Sequence, residues 1–340
     1  MKNLFLLFFC SSAVFANSYQ VLGLGAPCID YIISIEEEEL ARLKLQKGGW
    51  QEVGPDILKE LTSKCKDHQV FTGDCTSNTI KGLAALGVSC GLTGRVGSDS
   101  QGAHVRSVFN DLDVTTLFFE AQHATDQIAC FITPDGERSF CGSFQAQMEI
   151  SEKDLVAADF EGVKLVHMEG YRLANNTYME KAMEMAKAAG AKISLDLANC
   201  ELIKTFRERI LGLLETYTDI LFVNEEEAFA LTQLSPEKSA SFLKNYCPLV
   251  IVKVAEQGCW VCSNEGLFHV AGITAKVIDS TGAGDIFASA FLYAYLNGHS
   301  HRICATLGNL AGGAAVERYG AELPLTKWEE IKQALHTMIN

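Results

Sequence analysis

The chain has 340 residues, 48% of them hydrophobic, enough for one large α/β unit with an appendage or for two domains. A net charge of −14 and a pI near 5.0, with no basic block, argue against nucleic acid and anionic membrane as partners. Twelve cysteines at irregular spacing do not read as a disulfide framework and point to reduced thiols.

Residues 1–18 carry one early positive charge, a short apolar run and a small residue at Ala16. They read as a signal peptide or as an extension upstream of a domain that begins near Tyr19, and are too short for stable membrane insertion. Residues 19–25 form an apolar run ending in glycine, a buried strand. Asp30 then falls at or near a strand end, where ligands of open α/β sheets collect, although a turn cap would use the same residue. Residues 35–45 read as a short acidic helix and 48–53 as a strand. Gly73-Asp74-Cys75-Thr76-Ser77-Asn78-Thr79 leads into a helix over 80–86 closed by Gly87.

A strand over 88–92 is followed by Gly94-Arg95-Val96-Gly97-Ser98-Asp99, with Gly102 beyond, a loop suited to capping a helix over 105–112. Residues 115–120 and 127–133 have strand character. The turn at Pro134-Asp135-Gly136-Glu137 returns the chain along 138–140, and with 48–53 these predict a small β lid. Beyond 163, strands at 163–168, 192–195, 220–223 and 249–254 are separated by helical stretches, a pattern that predicts a parallel, doubly wound sheet. Glu169, Asp196 and Asn224 each close a strand and so face one crevice. Asn224 to Glu227 opens a helix, and by itself reads as a cap with acids matched to the helix dipole. Cys259-Trp260-Val261-Cys262 lies in a hairpin that starts at Gly258. On a strand its two thiols point to opposite faces, so the pair is structural.

The most informative stretch is Asp279-Ser280-Thr281-Gly282-Ala283-Gly284-Asp285. A β-rich piece at 275–278 precedes it, and an apolar, alanine-rich helix runs from it to Gly298. Small residues at a helix N-terminus present free N–H groups and the positive dipole end to an anion. A carboxylate at that mouth, Asp285, is suited to accept a proton from a hydroxyl nucleophile. A glycine turn with two capping aspartates is the plainer alternative.

The string resembles the D-T-x-G-A-G-D signature of the PfkB/ribokinase family of carbohydrate and nucleoside kinases, with Ser280 in place of the usual Thr. Gly73, Asn78 and Thr79 resemble the family's G-G-S-A-A-N-T, with Asp74 departing from the second glycine. Gly94 to Gly102 resembles its G-x-V-G-x-D-x-x-G, and Asn224 with Glu227 its N-x-x-E. The resemblance implies a ribokinase-like, mostly parallel αβα sandwich over 19–340, with a lid from about 46–55 and 113–145. It further implies transfer of the γ-phosphate of ATP with Mg2+. Asp285 is then the base, with the amides of Gly282, Ala283 and Gly284 as an anion hole. Asp30, Gly73, Asn78 and Glu169 would meet the substrate, and Asn224, Gly258, Asp279, Thr281, Gly282 and Gly284 the nucleotide. Asn224 and Glu227 would hold the metal through water. Residues 166–171, 133–138 and 219–225 look closest to bacterial adenosine kinases, while ribose and fructose kinases and a non-catalytic binding relative are the alternatives. Such chemistry belongs in the cytoplasm, with export left open by residues 1–16; a homodimer is compatible with the family.

Overall fold

Val21 and Leu22 are neighbours on one strand and both fully inaccessible, yet they belong to different hydrophobic cores. A strand that is apolar on both faces needs cover on both faces, and this requirement organises the structure. The computed structural model describes residues 17–65, 68–135 and 137–339, so the signal-like residues 1–16 lie outside the described residues. Its strands are β1 (Val21–Leu24), β2 (Cys28–Ser34), β3 (Trp50–Glu52), β4 (His68–Gly73), β5 (Cys90–Gly97), β6 (Thr115–Ala121), β7 (Gln127–Ile132) and β8 (Arg138–Ser143). They continue as β9 (Leu165–Glu169), β10 (Lys192–Asp196), β11 (Ile220–Asn224), β12 (Leu249–Lys253), β13 (Gly258–Ser263) and β14 (Gly266–Ala271). The helices are α1 (Glu37–Arg42), α2 (Pro55–Lys64), α3 (Cys75–Ala85), α4 (Ser100–Asp111), α5 (Asn176–Ala188) and α6 (Cys200–Thr216), then α7 (Glu225–Thr232), α8 (Pro236–Leu243), α9 (Ala283–Leu296), α10 (His301–Ala315) and α11 (Leu325–Ile339).

A nine-stranded sheet runs in the order β14-β13-β12-β11-β10-β9-β1-β5-β6. It is parallel from β12 to β6 and closes with the antiparallel β13–β14 hairpin. Helices α3, α4, α9, α10 and α11 cover one face, and α5 to α8 the other. This is the expected doubly wound, three-layer α/β fold. Strand order reverses at β1 and β9, so the crevice of the fold opens at their carboxyl ends. Cys259 and Cys262 sit in opposite cores, as strand alternation requires.

The second sheet has five strands, β3-β8-β7-β2-β4. Ile33, Ala129, Phe131 and Cys141 on one of its faces pack under Leu40 of α1 and Leu58 and Leu61 of α2. Two expectations change here. Residues 115–121, read as part of the lid, pair in parallel with β5 in the large sheet, where Phe118 meets Phe109 of α4 edge-on. The small sheet is instead completed by β2 and β4. Asp30 therefore lies inside a strand of the small sheet, not at the end of a core strand. Nor do 275–278 form a strand. They are irregular, tied to α10 where the amides of Ile278 and Asp279 donate to Val316 O.

Candidate active site

Gly282 caps α9 with φ of 69°, and a Cβ there would lie 2.1 Å from the Ala321 Cβ. Both the left-handed turn and the close approach demand glycine. Asp279 shapes the loop from beneath: its buried carboxylate accepts from the Thr281 amide at 3.0 Å and hydroxyl at 2.7 Å, and from the Gly320 amide at 2.9 Å. The Ala283 amide donates to Ser280 O at 3.3 Å, and those of Asp285 and Ile286 to Gly282 O. Among the described residues the Gly282 and Gly284 N–H groups have no partner. The body of α9 is buried from Asp285 to Leu292, while its positive end, Gly282 to Gly284, is half-buried and open to a ligand.

Asp285, in the first turn of α9, is 7% exposed. Asn78, 207 positions earlier on α3, donates its side-chain amide to the Asp285 carboxylate at 2.9 Å. Burial, then the charge of Asp196, push the Asp285 carboxyl up to about 8. Asp196 closes β10 and accepts from Lys253 Nζ at 2.7 Å. Lys253 closes β12; against the cost of burial, Asp196 and Glu227 hold its ammonium charged, above the usual lysine range. Its Nζ lies only 2.9 Å from where a Gly284 Cβ would stand, so the second glycine of the loop makes room for this cation. Lys253 was missed in the sequence, although a lysine ending the apolar strand Leu249–Lys253 was a visible signal.

Asn224 and Glu227 form a reciprocal cap on α7. Glu227 accepts from the Asn224 backbone and side-chain N–H groups at 2.9 Å each, and the Glu227 amide donates to Asn224 Oδ1 at 2.8 Å. Burial and the Asp196 charge raise the Glu227 carboxyl to about 7. Asp196, Glu227 and Asp285 thus crowd around one ammonium.

Opposite this cluster stands the small sheet. Pairing register puts Phe71 and Ile128 beside Asp30, and Cys130, Phe140 and Arg138 along the same face. Trp50 stacks on Phe144 at its rim, ring centroids 5.3 Å apart. Burial lifts the Asp30 carboxyl to about 6, with Lys81 pulling the other way. Gly73, across from Cys28, leaves the space Asp30 occupies; a Cβ there would lie 2.2 Å from Asp30 Oδ2. Arg138 reaches from the small sheet to the loop, donating to the Thr281 hydroxyl at 2.9 Å, with Asp279 at 3.7 Å. Lys81 of α3 donates to Thr72 O, to the Thr72 hydroxyl and to Glu322 at 2.6, 3.0 and 2.8 Å.

Two further expected residues, Glu169 and Gly258, are buried. Glu169 is fully buried beneath α3, one oxygen accepting from the Thr76 amide at 3.1 Å and the other without a partner. Gly258 turns the chain into β13 with φ of 99°, where a Cβ would strike Val270 O at 2.1 Å. Asp74 also has positive φ, 82° with ψ 151°, a region that costs a residue other than glycine about 1–3 kcal/mol.

A family model described as pfkB family carbohydrate kinase matches residues 51–328. The chain belongs to this family. Among solved structures it is similar to the adenosine kinase of Sinorhizobium meliloti, with a TM-score of 0.84 and 26% identity over 94% of this chain and all of that one. It is also similar to a probable sugar kinase of Rhizobium etli, with a TM-score of 0.82 and 27% identity over 93% and 98% of the two chains. The aminoimidazole riboside kinase of Salmonella typhimurium is 27% identical over 286 residues, 79% of this chain and 89% of that one. As a PfkB kinase the protein is a phosphotransferase acting on a sugar or nucleoside, with ATP as co-substrate. Among the described residues no helix is long and apolar enough to cross a membrane.

Proposed function

We propose that this kinase phosphorylates the primary hydroxyl of a nucleoside, adenosine or a close analogue, held between the two sheets with the small sheet as lid. The observation that carries the nucleoside reading is the character of the lid face. Phe71, Ile128, Cys130 and Phe140 line up beside Asp30. A flat base stacks on such a surface, whereas a free sugar leaves it unused. The likeness to an adenosine kinase and a riboside kinase supports the same reading.

In this scheme Asp30 accepts from ribose hydroxyls, and Asn78 orients Asp285. Asp285 takes the proton of the attacking hydroxyl as the oxygen bonds to the γ-phosphorus and the bond to the ADP oxygen breaks. Charge spreading over the transferred group meets the free amides of Gly282 and Gly284, the α9 dipole, and the cations of Arg138 and Lys253. Asp279 and Thr281 hold the loop in shape, and Gly258 starts the hairpin flanking the nucleotide. Asn224 and Glu227, beside the Lys253 cluster, are the residues that would hold a hydrated Mg2+ through water. When bound, the metal neutralises phosphate charge. A reducing cytoplasm is supported by the ATP requirement and by the free thiols of all eleven described cysteines.

The test is ADP release by the purified protein with Mg-ATP across nucleosides, ribose and fructose, with Asp285→Asn in parallel. The expected result is turnover with a nucleoside, reduced about 10²–10⁴-fold in the mutant. Turnover with free sugars alone would replace the nucleoside reading with the sugar-kinase one. Tight ATP binding without turnover would favour a non-catalytic relative.

A further inference from the structure

The chain crosses between the two sheets at residues 25–27, from β1 to β2, and at 73–75, from β4 to α3. One side chain touches both crossings. Asp74 lies in the second, accepting from the Ser77 amide at 2.8 Å and hydroxyl at 2.5 Å. Its Oδ2 also accepts from the Ala26 amide in the first crossing at 3.1 Å. The Gly25 carbonyl, on the other side of the same peptide, accepts from Arg172 Nη2. Glu169 accepts from the Thr76 amide just past the second crossing at 3.1 Å. Pro27 leaves no slack, since a Cβ on Gly94 of β5 would lie 2.6 Å from its ring.

We infer that Asp74, braced by Glu169 and Arg172, is a positioning residue that staples the two crossings together and holds the small sheet at one fixed angle over the crevice. A helix cap alone would not need the Ala26 contact, nor a backbone conformation that aspartate adopts only under strain. An acceptor therefore meets a pre-set lid and has less ordering to bring about on binding, which lowers its KM and leaves the chemical step alone.

The test compares the full chain with Asp74→Gly and Asp74→Asn by amide hydrogen exchange without ligands. Only its kinetic arm rests on the proposed phosphotransfer. In Asp74→Gly the amides of residues 25–26 and 73–77 should exchange about tenfold faster while β10 and β11 keep their rates. Asp74→Asn retains an acceptor for the Ser77 amide and puts an NH2 group where Ala26 needs an acceptor. It should speed Ala26 exchange and spare the first turn of α3, which keeps the inference testable if the glycine variant does not fold. With the acceptor found in the panel, Asp74→Gly should raise KM about tenfold with kcat nearly unchanged. Faster exchange confined to residues 75–78, with Ala26 unchanged in either variant, would make Asp74 a helix cap and overturn the inference. An inactive preparation bears on phosphotransfer, and the exchange result stands without it.

Discussion

The two ends of the large sheet treat buried acids in opposite ways. At the amino end Asp219, just before β11, accepts from Lys187 at 2.6 Å, from Lys192 at 2.9 Å and from the Ile193 amide at 2.9 Å. Burial alone would raise its carboxyl, but these donors hold it below the usual range. At the carboxyl end Asp196, Glu227 and Asp285 share one lysine, and burial lifts Glu227 and Asp285 to about 7 and 8. One end is electrostatically satisfied. The other keeps Glu227 and Asp285 uncompensated where the loop N–H groups and α9 point, and a metal arriving with the phosphates would supply the missing positive charge. Compensated acids hold a fold together, and uncompensated ones mark where it does chemistry.

The largest way to break the contrast is to remove the lysine that these three acids share. Lys253→Met leaves three buried carboxylates without it, and kcat should fall at least about a hundredfold in an ADP-release assay. A fall below tenfold would mean that Lys253 only neutralises Asp196.

Titration sharpens the contrast. Asp285 stays protonated in the folded chain over the window between the ordinary carboxylate pKa and about 8, where the unfolded chain has already lost that proton. Unfolding there releases a proton, so the ligand-free protein should lose stability as pH rises from 5 to 8. Asp285→Asn should flatten that slope in thermal melts, while wild-type kcat/KM should climb towards a limb near pH 8 as the base form appears. A slope unchanged by the mutation would remove Asp285 as its source.

The smallest effect belongs to the satisfied end. Asp219→Asn should cost about 1 kcal/mol at pH 7 in denaturant melts and leave kcat alone. Because its folded carboxyl sits below the unfolded value, that contribution is present above the ordinary carboxylate pKa and disappears as pH falls through the lowered one. A change in kcat would show that the two ends are coupled.

Local chemistry made much of this legible in the amino-acid string. Alternating strand and helix periodicity specified the parallel sheet, because β9 to β12 are buried on both faces. The glycines of Asp279 to Asp285 announced the helix mouth, because that backbone turn admits little else. Membership of β6 was not legible, since a half-buried strand reads alike in either sheet and only packing against α4 decides it. The contacts of Asn78 with Asp285, Lys253 with Asp196, and Arg138 with Thr281 were equally hidden, each joining residues far apart in the chain. The sequence by itself determined the fold class, the loop and the acid at its mouth, because these depend on neighbours within a few residues. Which acids are left short of charge, and how the small sheet is held above them, only the tertiary structure decided, because burial and Coulomb interaction depend on distance in space.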